Sequence, residues 1–353
     1  MTKIEIISNR GFNNHPAIHA VYEWEDIFSL TLNAKIRKRV SFSLCIKGIY
    51  FFIARLKLKI KPSKIIEFLD DIYLRYCTKT DTLILRIDPS PRSASYLGAR
   101  KSNVVPLIGE IDKNLYYNTN RNHNENLKHF EKVYTGHKIV LTFSNNHYNY
   151  LLKKNCSLNL KLLPYSLSDK YILDRKTYYK NRNYDLIIPG RPNLTILQWL
   201  KKFAISNPEF EYFTYHSIDN RHVYISNKGA EVDCRTREKY FELLKDCNIA
   251  VYSTQGADGI KNALDHVSPK IFEIVYTGCF VIGMYPETDD TRYFQLNQIC
   301  PSFFNFEKFE TKLSELIHSD RSESGYKNYV KFLDKNKTSI RAKLLSKYLD
   351  DLN

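Results

Sequence analysis

Short runs that are apolar on both faces recur along the chain. Each is closed by a polar loop and followed by a stretch of helical spacing, and this alternation restricts the fold more than any other feature. The second half has the clearest set: Tyr184–Ile188, 209–215, 222–226, 248–253, 279–283 and 299–303, interleaved with helical patterns at 194–203, 235–246, 269–277, 307–317 and 326–333. The first half repeats the scheme with Lys3–Ser8, 82–87, Val104–Ile108, 138–143 and 160–163. Strands buried on both faces and separated by helices predict βαβ units in parallel, helix-covered sheets. In such sheets ligands bind beyond the carboxyl ends of the strands.

With 353 residues the chain has room for two such domains. A polar, charged stretch at 174–183 has no apolar period and predicts the boundary. The expected domains are 1–176 and 177–334, followed by a Lys-rich closing helix over 335–353 with apolar spacing at Ile340, Leu344, Leu345, Tyr348 and Leu349. The seven cysteines are widely spaced and include no Cys-x2-Cys pair, which argues against a zinc ribbon and for buried thiols in a reducing compartment. No run of about 18 uncharged apolar residues occurs, so no transmembrane helix is expected. The amino terminus alternates like a strand and lacks a signal-peptide core, which predicts a cytoplasmic protein.

Charge is unevenly distributed. Of the net +15, residues 1–175 carry 28 basic against 15 acidic residues, +13, and the remainder 25 against 23, +2. A basic first half predicts an anionic partner there, with simple solvation of a Lys-rich surface as the alternative.

Candidate chemistry gathers at 265–273. Ser268 and Pro269 suit the start of a helix whose N–H groups would point into a strand-end loop, a site that favours phosphate. Lys270 in that first turn opposes the helix dipole, a placement that a bound anion would offset. Glu273, one turn on, could accept hydrogen bonds from sugar or ribose hydroxyls. The same residues also read as a capped helix with an exposed Lys–Glu pair.

The pattern Asp265-x7-Glu273, followed by Gly278-Cys279-Phe280-Val281-Ile282, resembles the donor-binding segment of GT-B fold glycosyltransferases, in particular the group-1/family-four-like nucleotide-sugar transferases. Asp265 stands where retaining members carry Glu, and the usual glycines of the turn are absent. Gly190-Arg191, after the strand Tyr184–Ile188, resembles the family's Gly-Arg pair, whose arginine reaches the donor diphosphate. Ser253, in Tyr252-Ser253-Thr254, matches a small polar pair of the family, and Ser226-Asn227-Lys228-Gly229 resembles its base-contacting segment. The resemblance covers about residues 184–304. It implies two Rossmann-like α/β domains facing across a cleft and metal-independent transfer from a nucleotide-sugar without a cofactor. Gly190, Arg191, Ser253, Ser268, Lys270 and Glu273 would then hold the donor, and Asp265 would act in catalysis.

In the first half, two loops after strands carry polar groups. His15, in the turn that follows Lys3–Ser8, could act as a base, or be a surface histidine beside Pro16. Asp88, in Arg86-Ile87-Asp88-Pro89-Ser90-Pro91-Arg92, could take a proton from an acceptor hydroxyl, while Arg86 or Arg92 holds an acceptor phosphate; a capped Pro-rich turn is the alternative. Residues 41–54 are apolar and aromatic and lie between the basic clusters 35–39 and 55–61, which suits either an interfacial helix on an anionic membrane or a buried helix with a basic edge.

The expected function is a glycosyltransferase of bacterial surface polysaccharide biosynthesis, such as lipopolysaccharide or capsule, acting on a glycan or lipid-linked acceptor. Peripheral association with the inner face of the cell membrane would accompany it. A basic nucleic-acid-binding α/β protein and a nucleotide-sugar epimerase of the same architecture are the alternatives; no zinc knuckle, RNP-like strand or P-loop supports the first.

Overall fold

The computed structural model describes residues 3–8, 10, 16–38, 82–88, 101–109, 123–218, 221–254 and 264–352. They form two compact units, Met1–Pro164 with Arg341–Asn353, and Tyr165–Ile340.

Among the described residues the first unit is built on a sheet of six parallel strands. These are β1 (Lys3–Ser8), β2 (Lys35–Lys38), β3 (Thr82–Asp88), β4 (Val104–Ile108), β5 (Val140–Thr142) and β6 (Leu160–Leu162), in the order β2-β1-β3-β4-β5-β6. Among the described residues its helices are α1 (Pro16–Thr31), α2 (His123–Tyr134) and α3 (Asn145–Lys153). They cover the strands with Trp24, Phe28, Phe130, Tyr134 and Leu151, all buried. Strand order reverses between β1 and β3, the switch point where a ligand crevice opens in such sheets.

β2 occupies part of the segment read as a basic membrane-facing cluster. Its Lys-Ile-Arg-Lys sequence pairs in parallel with β1, and Arg37 is ion-paired to the buried Glu5, with Nη2 2.9 Å from Oε1. Arg37 is therefore spent inside the sheet. Residues 41–54 and 55–61, also assigned to that cluster, lie outside the described residues.

The second unit carries β7 (Tyr184–Ile188), β8 (Tyr212–Ile218), β9 (Arg221–Ser226), β10 (Glu231–Asp233), β11 (Cys247–Ser253) and β12 (Phe280–Met284), in the order β10-β9-β8-β7-β11-β12. β8, β7, β11 and β12 are parallel, β9 pairs antiparallel with β8, and β10 pairs antiparallel with β9, so β10 again runs with the parallel strands. Its helices are α4 (Arg175–Tyr178), α5 (Leu194–Ser206), α6 (Arg237–Asp246), α7 (Lys270–Thr277), α8 (Asp289–Tyr293), α9 (Phe306–Ile317) and α10 (Glu323–Lys335). A last helix, α11 (Thr338–Asp350), carries the chain back to the first unit.

The two-faced apolarity of the strands is used on both sides. Leu186, Ile188, Ile249, Val251 and Ile282 pack with Ile196, Leu200 and Phe203 of α5 and Phe309 and Leu313 of α9. Complete burial of each such side chain contributes about 1.5–3 kcal/mol. Leu243 and Leu244 of α6 and Ile271, Phe272, Ile274 and Val275 of α7 are likewise buried, and α6 packs on α7. Side-chain caps start the helices: Asn193 for α5, Thr236 for α6, Asn305 for α9 and Ser322 for α10. α7 stops at Gly278, left-handed at φ 73°. Arg182 donates to Lys245 O and Thr277 O, and Arg321 to Gly278 O, so two guanidinium groups take up carbonyls at the ends of α6 and α7.

Three features depart from the sequence reading. The run 299–303 forms only a bridge between Gly283 and Ser302, because Pro301 has no N–H to donate. The units divide at Pro164–Tyr165 and Ile340–Arg341 instead of at 176/177 and 334/335. Tyr178, within the polar stretch, and Leu173, just before it, are buried in the second unit, where Tyr178 packs edge-on against Tyr329. At the other end Arg341 Nε donates to Pro164 O and Tyr348 Oη to Leu162 O, tying α11 to the first unit.

Candidate functional site

In the second sheet the order reverses between β7 and β11. α5 leaves β7, and α6 and α7 lead into the parallel strands β11 and β12, so all three helices begin at the carboxyl edge of the sheet. The residues singled out in the sequence at 189–191, 252–254 and 265–270 meet at this edge.

Gly190 follows β7 with φ 67°, a left-handed conformation that glycine adopts without strain. Its N–H donates to the Tyr224 hydroxyl at 2.8 Å. The Lys270 side chain lies across its open face: a β-carbon on Gly190 would stand 3.0 Å from Nζ. Arg191 is exposed at the same strand end, and Ser253 is half-buried at the end of β11.

Three ties hold the loop before α7. Thr254 Oγ1 donates to Asp265 Oδ1 at 3.0 Å, Val267 N–H to the buried Asp290 Oδ2 at 3.3 Å, and Ser268 N–H to the Tyr252 hydroxyl at 3.0 Å. His266 is buried and stacks on Tyr165. Ser268 therefore anchors the loop through its backbone N–H, and no side-chain cap bond starts α7, which begins at Lys270. Burial pushes the Tyr252 and Tyr224 phenols well above their ordinary range, so both stay neutral hydroxyls.

Glu273 is not the exposed partner of Lys270. Its Oε1 accepts from Arg237 Nη1 at 2.7 Å and its Oε2 from the Tyr240 hydroxyl at 3.2 Å, with the side chains of Glu273 and Arg237 8% and 3% exposed. The turn at Ser226–Gly229 also departs from its reading as a base contact. β9 runs antiparallel, so this turn lies at the amino ends of the parallel strands, where Asn227 bonds Phe210 O and Tyr212 N. The carboxyl edge receives instead the β10–α6 connection and Arg237.

In the first unit Arg86 is buried within β3, opposite Pro106 of β4. Asp88 closes the same strand, and its side chain, like His15 and Arg92, lies outside the described residues. At the carboxyl end of β1, however, Ser8 Oγ donates to Glu25 Oε2 at 2.5 Å and Arg10 Nε to the same oxygen at 3.1 Å. Glu25 is 2% exposed, and burial raises its carboxyl to about 7 despite both partners.

No protein-family model matches the chain, and no curated protein matches it. Solved structures do. The N-terminal domain of Candida albicans trehalose-6-phosphate phosphatase superposes with a TM-score of 0.63 at 9% identity, over 99% of this chain and 97% of that one. A trehalose-6-phosphate structure from E. coli bound with UDP-2-fluoro glucose gives 0.59 at 9% identity, over 99% and 98%. The pneumococcal O-GlcNAc transferase GtfA, in complex with UDP and GlcNAc, gives 0.52 at 10% identity, over 81% of this chain and 60% of that one. The chain has the GT-B fold. Its two Rossmann-like units correspond to the tandem domains of GT-B proteins, and the carboxyl edge with Gly190 and Lys270 belongs to the second of them.

Proposed function

We propose that the chain is a glycosyltransferase that binds a nucleotide-diphosphate sugar at the carboxyl edge of its second sheet and passes the sugar to a glycan or lipid-linked acceptor. The observation that carries this reading is Lys270, laid over Gly190 at the topological switch point and at the start of α7. Cation, glycine and helix N-terminus converge where a diphosphate could approach backbone closely.

In sugar transfer, negative charge builds on the departing nucleoside diphosphate. Lys270, Arg191 and the dipole of α7 would meet that charge at fixed positions. Asp265, held by Thr254, would face the transferred sugar. Ser253 and Ser268 would line the same edge. In the first unit Asp88 or His15 would handle the acceptor proton, and Arg92 an acceptor phosphate, since Arg86 is buried within β3. Bacterial surface polysaccharide is the acceptor class that the basic first half favours, with transient docking on an anionic leaflet. Binding to anionic vesicles that weakens with salt supports that docking, and its absence at low salt removes it.

A thermal-shift series with UDP, GDP, ADP and their mononucleotides tests the donor site. A diphosphate at about 100 times its Kd should stabilise the protein by about 2.7 kcal/mol. Equal stabilisation by mononucleotides and diphosphates, or none by either, counts against the reading.

A further inference from the structure

An ion pair sealed from solvent joins the first turns of two helices at the proposed donor edge. Arg237 opens α6 and Glu273 lies one turn into α7, with Nη1 and Oε1 2.7 Å apart. The guanidinium rests against the rings of Phe241 and Tyr171, 4.7 and 5.6 Å from their centres, and Nε donates to the Tyr171 hydroxyl at 3.2 Å. Tyr240 supplies the second carboxylate oxygen with its hydroxyl proton, and its ring stacks 6.1 Å from Tyr224, whose hydroxyl receives Gly190 N–H.

We infer that Arg237 is a positioning residue: by neutralising Glu273 inside the unit it docks the first turn of α7 on α6, so that Glu273 fixes the stance of Lys270 instead of holding a hydroxyl of the donor. The inference rests on the donor-site reading above. Both oxygens of Glu273 are engaged internally, and drawing the carboxylate out would leave Arg237 buried without its counter-charge, a strongly disfavoured state. Lys270 precedes Glu273 by three residues on the same helix, so displacement of the carboxylate moves the ammonium. Through Tyr240 and Tyr224 the same cluster reaches Gly190, so both halves of the Lys270–Gly190 contact are referred to one arginine.

UDP binding by calorimetry and the thermal midpoint, measured on the full chain, test this. Glu273→Met strands the guanidinium and should lower the midpoint and weaken UDP by at least about tenfold. The double variant Arg237→Met/Glu273→Met removes both charges and keeps the bulk, and should regain most of the midpoint and bind UDP within about threefold of wild type. A double variant that regains the midpoint yet binds UDP as weakly as Glu273→Met overturns the inference, because Glu273 would then touch the ligand itself. If the two methionines pack poorly and the midpoint stays low, Tyr240→Phe decides. It keeps the ring and should weaken UDP by about two- to fivefold, and unchanged affinity overturns the inference. Should the wild type bind no nucleoside diphosphate, the donor reading fails, and the midpoints still decide the docking role: a Glu273→Met midpoint equal to that of wild type excludes it.

Discussion

Lys270 and Gly190 compete for one volume: the lysine ammonium lies 3.0 Å from where a β-carbon on the glycine would stand. The two residues come from different strand–helix connections, and their proximity exists only because Gly190, at φ 67°, presents a bare backbone.

Lys270→Ala should leave the thermal midpoint near that of wild type and weaken UDP by about ten- to a hundredfold, the loss of one charge-assisted contact of about 1.5–3 kcal/mol. Calorimetric titration reads this directly. Undiminished affinity would remove Lys270 from the donor site.

Gly190→Ala should cost about 1–2 kcal/mol of stability, because a side chain at this φ is strained, and should also turn Lys270 aside. The displaced atom is the mobile end of a lysine, so strain dominates stability while the lysine dominates binding. In a double-mutant cycle on UDP affinity, the Gly190→Ala effect should shrink in the Lys270→Ala background, whereas the stability effect should persist.

Tyr252→Phe removes the acceptor of Ser268 N–H within a buried setting. The expected cost is about 1–3 kcal/mol, the desolvation penalty of one unpaired donor. Since that tie holds the loop before Lys270, UDP affinity should fall with it. A normal midpoint would mean that the loop is held by Asp290 and Thr254 alone.

Glu25 gives the first unit a pH signature. Its folded carboxyl is raised to about 7, above the ordinary carboxylate range, because burial outweighs Ser8 and Arg10. The folded chain therefore holds a proton that the unfolded chain releases at lower pH. Stability from this group is complete below about pH 4.5 and declines as pH rises to about 7. Glu25→Gln should flatten the midpoint–pH profile across that window. A variant profile parallel to wild type would assign the slope to other groups.

Much of the scaffold was legible because parallel strands must be apolar on both faces. Tyr184–Ile188 and Val104–Ile108 stand where the runs predict them. β2 escaped notice because Lys-Ile-Arg-Lys has no apolar face to read; it is held by ladder bonds to β1 and by Glu5, which is distant in sequence. The direction of β9 was equally invisible, since a five-residue run reads alike both ways, and this put the turn at Ser226–Gly229 on the wrong edge. In the candidate site, Gly190, Arg191 and Lys270 could be found from strand ends and helix starts. Arg237, Tyr240 and Tyr224 could not: one arginine and two of 26 tyrosines acquire their roles only when α6 and β9 are packed against α7.

The second unit is an insertion in the first, entered at Tyr165 and left at Ile340. Its two ends are stitched together: Leu167 bridges Lys337, Ser166 Oγ meets Thr338 Oγ1 at 3.0 Å, and Asp169 accepts from Ser339 N–H at 2.9 Å. Because entry and exit lie side by side, residues 165–340 can be excised as one fragment with its termini already closed, or replaced by a short linker that rejoins Pro164 to Arg341. A chain cut short at residue 340 is a different object: it keeps the second unit whole and takes from the first the helix that Pro164 and Leu162 hold in place.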